Sequence, residues 1–408
     1  MNLWDTLRVA LRALVRNQLR SLLTALGIIV GIAAVIAMLA VGQGASTMIE
    51  GQLASIGSNM IVVMPGAVTS GGVHSGAGEV RTLTVEDGEA IRKECPYVET
   101  LTPLVTTGVQ IVYQDQNWST MVQGVDSNYL EVRSWEIAEG DFFTESEART
   151  AARSAVLGQT VVKNLFDKGE DPVGQTIRIK NMLFRVIAVM QPKGSLSWGM
   201  DQDDTIIVPW VTLRRVLQNS TFNNVNQLLI KLKSKELRDP ARDYITALLR
   251  QRHHLAPEAE DDFMVIDMAE VVDTMRKVSL VMTRLLIVIG SISLIVGGIG
   301  IMNIMLVSVT ERTREIGLRL AMGARRKDIL MQFLVEAVVL AGIGGLLGTG
   351  LGAGAAQILS STHHWPILIS PAYVILALVF SGAVGIFFGF YPAWRASKLD
   401  PIEALRYE

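Results

Sequence analysis

The sequence predicts a membrane protein with four transmembrane α-helices and a large α+β extracytoplasmic domain, in two lobes, inserted between the first and second spans. Three observations carry this fold class. The 408 residues are 50% hydrophobic with a mean hydropathy of +0.35, too apolar for an ordinary soluble protein and not apolar enough for a wholly embedded one. The apolar residues gather in four segments, the first and second separated by a long interval of ordinary composition. Basic residues cluster before the first segment, between the second and third, and after the fourth, which places all three clusters in the cytoplasm if both termini are inside.

In chain order, residues 1–21 read as a basic amphipathic helix. Arg8, Arg12, Arg16 and Arg20 share one face and Leu3, Leu7, Leu11 and Leu14 the other, so the helix can lie on anionic lipid with Trp4 at headgroup depth; a solvated helix end is the plainer alternative. The first span, 22–41, is uncharged from Leu22 to Val41 and exceeds a signal-peptide core of ~7–15 residues, so an uncleaved span is preferred.

Residues 42–284 form the expected extracytoplasmic domain, with helical stalks at both ends. Gly42 to Asn59 continues the first helix, and Gly66 to Gly78 reads as a flexible Gly/Ser loop without the lysine of a phosphate cradle. Thr84 with Asp87 is a capping-box start for a helix ending near Cys95-Pro96. Val98 to Val125 reads as strands, 126–153 as charged and irregular, and the remainder as short strands and helices closing with a strand at Phe263–Ile266. Cys95 is the one cysteine, which excludes an intrachain disulfide and a multi-cysteine metal site.

The second span, 285–309, follows directly. Val271, Met275, Val278, Met282 and Leu285 repeat with 4-3-4-3 spacing, and Ile289, Ile292, Val296, Ile299, Asn303 and Leu306 extend the same stripe. With no proline from Asp267 to Ile329, one continuous helix is expected to leave the outer domain, cross the bilayer and deliver the charged loop 310–328. Asn303 on this seam either pairs with its counterpart in a second copy or is satisfied within its own four-helix group. The third span is 329–359, with Gly344, Gly348 and Gly352 as a close-packing stripe; 360–371 is a short outer loop with Trp365 and Pro366. The fourth span is 372–391, and 392–408 is a cytoplasmic tail.

Chemistry of its own is not expected. There is no G-x-x-x-x-G-K-[ST], no charge is read well inside a span, and a net charge of −2 gives no reason to expect nucleic acid. His253-His254 and His363-His364 lack ligands at metal spacing and read as surface histidines. Glu258, Glu260, Asp261 and Asp262 read as a solvated acidic loop rather than a Ca²⁺ site. No cofactor or metal is expected in this chain.

Several stretches together resemble the permease subunits of MacB-type ABC transporters, a family related to FtsX. They are Leu19-Arg20-Ser21-Leu22-Leu23-Thr24-Ala25-Leu26-Gly27-Ile28 with Gly31, Asp171-Pro172-Val173-Gly174-Gln175, Lys193-Gly194, the run Glu311 to Arg319 with Met322-Gly323-Ala324, Pro392-Ala393-Trp394-Arg395-Ala396, and Asp400 to Arg406. The resemblance implies a homodimer in a bacterial inner membrane whose outer domain moves when a cytoplasmic ATPase dimer closes. It implies that Glu311, Arg312, Thr313, Arg314, Glu315, Gly317, Arg319, Gly323 and Arg325 couple to that ATPase, with Val271, Met275, Val278, Met282, Leu285 and Asn303 as the dimer seam. Leu320 stands where many relatives carry a basic residue. MacB carries its ATPase in the same polypeptide, so a separate ATPase subunit using ATP and Mg²⁺ is expected here. A periplasmic adaptor (membrane fusion) protein and an outer-membrane duct are the further partners implied, and export of an antibiotic, peptide or toxin is the expected function. A Lol-type lipoprotein-releasing permease and an FtsX-type regulator of a cell-wall hydrolase are the alternatives, with a stand-alone sensor, which needs no coupling loop, as a further one.

Overall fold

The computed structural model describes residues 18–56, 59–66, 69–70, 73–74, 82–167, 169–195, 201–363 and 371–406. The amphipathic face expected on 1–21, most of the Gly/Ser loop, His364, and Trp365 with Pro366 lie outside the described residues. The chain divides into two compact units, residues 1–48 with 276–408, and residues 49–275.

The first unit is helical. Helix α1 (Gln18–Ile56) contains the first apolar span. Helix α7 (Met268–Glu311) is 44 residues long, about 66 Å at ~1.5 Å per residue, and more than enough to span a bilayer. It is followed by α8 (Thr313–Ala321), α9 (Arg326–His363), α10 (Pro371–Ser397) and α11 (Pro401–Arg406). Among the described residues four helices are long and apolar enough to cross a membrane.

These helices pack through small residues, because in lipid close backbone approach supplies the contacts that hydrophobic burial supplies in water. A Cβ on Gly297 would stand 2.9 Å from the carbonyl carbon of Gly27, so α7 and α1 cross nearly backbone to backbone. Gly348 and Gly352 of α9 sit against the carbonyl oxygens of Ile29 and Ala33, where a Cβ would approach to 2.7 Å. Ser381 of α10, fully buried, donates to the Ala341 carbonyl at 2.6 Å.

Two segment expectations change. The region 310–328 is not a loop but mostly helical, with α8 at its centre between the end of α7 and the start of α9, and the expected tail 392–408 is helical over most of its length, α10 running through Pro392 to Ser397 and α11 following.

The second unit is a ten-stranded sheet with helices packed on it. Its strands are β1 (Met60–Pro65), β4 (Val98–Tyr113), β5 (Gln116–Val125), β6 (Ile137–Gly140), β7 (Ser154–Leu157), β8 (Thr176–Ile179), β9 (Met182–Met190), β10 (Thr205–Pro209), β11 (Gln227–Leu232) and β12 (Phe263–Asp267); β2 (Thr69–Ser70) and β3 (Val73–His74) form a separate pair. The strand order is β12-β1-β11-β4-β5-β10-β7-β9-β6, with β8 against β4 and β9. The two lobes read from the sequence share one strand. The first part of β4 pairs β11 up to Leu104, and the rest pairs β5 from Val105. Helices α2 (Val85–Glu94), α3 (Tyr129–Arg133), α4 (Glu145–Arg149), α5 (Gln159–Leu165) and α6 (Arg238–Arg252) pack on the sheet, whose main core includes Ile61, Ile111, Leu157, Phe184, Ile230 and Leu249.

Local chemistry explains the punctuation. Thr84 and Asp87 cap α2 reciprocally, each satisfying a backbone N–H of the other. The segment 126–153, read as irregular, holds α3, β6 and α4; the missed signal is a second capping box, Thr144 with Glu147, at the start of α4. Asp171 accepts from the Val173 N–H at 2.9 Å and Gly174 turns at φ +91°, so Asp171-Pro172-Val173-Gly174 is a turn. The buried Asp203 carboxylate takes the N–H groups of both Lys193 and Gly194, at 2.8 and 3.0 Å.

His253 and the acidic run differ from expectation. His253 is half-buried, its side chain 9% exposed rather than on the surface, with Nδ1 2.7 Å from Asp262 and Nε2 3.4 Å from Asp87, while Arg252 donates to Asp87 at 2.8 Å. Asp261 pairs with Arg250, so half of the acidic run is tied down instead of solvated. The hydrogen bond to Asp87, seconded by Asp262, raises the His253 imidazole above its ordinary value. Despite its burial, the Asp87 carboxyl is held well below the usual range by His253, Arg252 and Thr84.

Candidate coupling site

Helix α7 starts on the side chain of Asp267, which accepts from the Ala269 N–H at 2.9 Å directly after β12. It runs unbroken to Glu311. Arg312, at φ −104° and ψ 15°, separates it from α8. No proline is needed for this break. Thr310 donates back to the Val307 carbonyl, and Thr313 to those of Val309 and Thr310, competing with the backbone ladder where the chain turns.

Helix α8 ends in a Schellman motif. The N–H groups of Gly323 and Ala324 return to the carbonyls of Leu320 and Arg319, and Gly323 takes the required left-handed conformation at φ +97°. Asp328 then accepts the Arg325 N–H at 3.1 Å and opens α9. The 310–328 segment is therefore built around a short helix between two turns, closed at its C-terminal end by the Schellman motif.

The predicted coupling residues fall into distinct places. Thr313 and Gly317 are buried, and Gly317 faces Ala404 of α11, where a Cβ would come within 2.7 Å of the Ala404 Cβ. This contact brings together the two sequence motifs at 311–319 and 400–406. Arg312 turns inward to Glu336 at 3.4 Å, and Arg319 bridges Glu315 at 2.5 Å and Gln332 at 3.1 Å. Both arginines were expected on a presented face, but their guanidiniums are drawn to polar groups on α9. Gln332 and Glu336, one helical turn apart and 4% and 6% exposed, correct the expectation that no charge lies well inside a span, because Glu336 belongs to the third. Glu336 lies about three turns inside α9.

Facing outward are Glu311, Arg314, Glu315 and Arg325, with Leu318 (52% exposed) and Met322 (73%) following Arg314 at helical spacing. On the docked α11, Ile402 and Leu405 are also exposed. Leu320 packs partly buried against the helical core. The surface is an apolar patch ringed by charge, suited to a protein partner.

On α7, Val271 and Met275 are half-buried, while Val278, Met282 and Leu285 are exposed. The stripe stays exposed through Ile289, Ile292, Val296 and Ile299 to Asn303. The opposite face, with Gly290, Leu294, Gly297, Ile301 and Met305, is buried in the chain's own bundle. Asn303 makes no side-chain hydrogen bond among the described residues, so it is not satisfied within its own four helices.

A charged helix between the second and third of four apolar helices, with a large α+β domain inserted after the first, defines a multi-pass membrane protein of permease type. Residues 21–248 match the family described as the MacB-like periplasmic core domain, and residues 287–401 match the FtsX-like permease C-terminal family. The chain belongs to the MacB-like branch of the FtsX-like permeases. It is 43% identical to a macrolide export ATP-binding/permease protein MacB of Syntrophobacter fumaroxidans, over 99% of this chain and 64% of that one. It is 42% identical to the protein of the same name from Bdellovibrio bacteriovorus, over 99% and 62%. The chain thus spans somewhat less than two thirds of the length of these relatives. The periplasmic region of MacB from Actinobacillus actinomycetemcomitans overlays 56% of this chain and 96% of its own, with a TM-score of 0.45 at 19% identity.

Proposed function

We propose that this chain carries ATP-driven motion from a separate cytoplasmic ABC ATPase to its extracytoplasmic α+β domain, as one half of a homodimer that drives export. Both termini and α8 are cytoplasmic on this proposal. The exposed face of α8 and α11 receives the ATPase, and α7 is the transmitting element. The observation that carries the proposal is the unbroken helix from Met268 to Glu311, which begins where the last strand of the α+β unit ends and stops one residue before α8. A continuous helix resists bending and transmits displacement along its axis; the stripe from Val278 to Asn303 offers it a partner in the second copy. The exported cargo on this proposal is an antibiotic such as the macrolides named for the relatives, a peptide or a toxin, with a periplasmic adaptor and outer-membrane duct completing the path.

The test is co-purification of a co-expressed ABC ATPase subunit from the same organism with the wild-type chain and with Arg314→Glu combined with Met322→Asp, both exposed positions. Loss of the ATPase from the variant at unchanged membrane yield is the expected result. Equal recovery of the ATPase would overturn the assignment.

A further inference from the structure

The α+β unit contains a cleft of about 430 Å³ whose lining includes no residue of the coupling site or the seam. Its volume is in the range of small-ligand pockets. Its position follows from topology. Strands β5 and β10 are parallel neighbours, with Val125 opposite Pro209 in register, and the next residues, Asp126 and Trp210, both line the cleft. Loops leaving the carboxyl ends of adjacent parallel strands diverge, and that divergence opens a crevice.

The lining has an unusual balance. Val85, Leu101, Val211 and Leu228, with the half-buried Trp210, provide an apolar surface. Around it stand three guanidiniums and three carboxylates. Arg149 and Glu145 neutralise each other at 2.7 Å. Glu89 and Arg92, one turn apart on α2, and Arg215 make no ion pair or side-chain hydrogen bond among the described residues. Asp126 is half-buried, accepts the Asn128 N–H at 3.0 Å, and touches no cationic side chain. Burial raises its carboxyl to about 6, with Arg92 acting on it only through space. The cleft therefore holds two negative groups, Asp126 and Glu89, and two positive groups, Arg92 and Arg215, none of them in a salt bridge among the described residues, over an apolar surface, with Asp126 also hydrogen-bonded by the Asn128 N–H and the Thr102 side chain. A ligand bearing only one charge leaves a pair of like charges facing it; a ligand with both charges matches all four.

We propose that this cleft binds a zwitterionic, peptide-like ligand with an apolar body, its ammonium group on Asp126 and Glu89 and its carboxylate on Arg92 and Arg215. The proposal does not rest on the coupling assignment: if the ATPase fails to bind α8, the cleft and its charges are unchanged, and the measurement below involves no nucleotide.

The experiment is calorimetric titration of the purified full chain in detergent with leucyl-leucine, compared with N-acetyl-leucyl-leucine, which keeps only the anion, and leucyl-leucinamide, which keeps only the cation. Saturable binding of leucyl-leucine is expected, with each singly charged probe weaker by about ten-fold or more, the loss of one charge-assisted contact. Asp126→Asn and Arg215→Gln should each weaken leucyl-leucine by about ten-fold. Arg215 is exposed, so its variant folds even if that at Asp126 does not. Absence of saturable heat up to roughly 10 mM, far weaker than a useful site, overturns the proposal. So does equal binding of the three probes, or leucyl-leucine binding that Arg215→Gln leaves intact.

Discussion

Gly317 of α8 and Ala404 of α11 meet so closely that a methyl group on the glycine would lie 2.7 Å from the alanine Cβ. The contact fastens the end of the chain to the helix that follows the second span, and no longer side chain fits there. Gly317→Ala should cost about 1–3 kcal/mol through overpacking, despite its better helix propensity. Gly317→Leu should undock α11 altogether. Limited proteolysis of the tail, compared between wild type and both variants, reads this directly. Equal protection in Gly317→Leu would show that the packing is not needed.

The pairing of Arg312 with Glu336 makes an asymmetric prediction. Glu336 is 6% exposed, so removing its cation strands a buried carboxylate, whereas Glu336→Gln leaves the half-buried Arg312 access to water. Arg312→Met should therefore destabilise the membrane unit by about 3 kcal/mol and Glu336→Gln by distinctly less. The double variant should be less destabilised than the sum of the two. Thermal denaturation in detergent across the four proteins gives the coupling directly, and strict additivity would mean the two side chains do not interact.

The stripe on α7 predicts contacts between copies. Cysteines placed at Val278 or Met282, both more than half exposed, should cross-link two chains in membranes. Cysteine at Leu294, 2% exposed on the opposite face, should not. Asn303→Leu should weaken or shift that cross-linking pattern if the asparagines pair, because a polar residue on an apolar seam fixes register. No cross-link at any seam position would remove α7 from the dimer interface.

How much of this was legible beforehand depends on the kind of signal. The long helix was readable from Val271 to Leu306 because an apolar stripe and an uncharged core repeat over many turns without interruption. Its end at Glu311 was less so, since Thr310 and Thr313 break the helix through side-chain hydrogen bonds that carry no proline or glycine flag. Thr84 with Asp87 was recognised as a capping box, yet Thr144 with Glu147 has the same pattern and passed for loop, its helix being only five residues long. Within the candidate site, charge type was legible and direction was not. Arg312, Arg314 and Arg319 look equivalent in sequence, and only the partners on α9, Glu336 and Gln332, separate inward from outward. Those partners lie 24 and 13 residues away along the chain, beyond any local pattern. The burial of His253 escaped for the same reason, as Asp87 is far off in the chain.

His253 provides a test by pH, and the sign follows from its partners. Its folded-state value is raised by Asp87 and Asp262 above the ordinary ~6.5, so the folded protein holds this proton more tightly than the unfolded one. The stabilisation is complete below about 6.5 and is lost as pH rises through the raised folded value. Asp87 works at the other end: its lowered carboxyl contributes above about 3.9 and fades only in stronger acid, so the two overlap fully between roughly pH 4 and 6.5. Lys193, brought down to about 8 by burial and Arg133, titrates at higher pH and would distort a single melting curve. The quantity to follow is therefore the difference in melting temperature between the wild-type chain and His253→Gln, which keeps a polar side chain but cannot take up the proton. That difference should be largest at pH 5.5–6.5, equivalent to about 1–3 kcal/mol for a buried hydrogen-bonded group, and should shrink steadily toward pH 9. A difference that stays constant across this range would mean that the imidazole between Asp87 and Asp262 takes up its proton as it does in the unfolded chain, and that their carboxylates do not raise it.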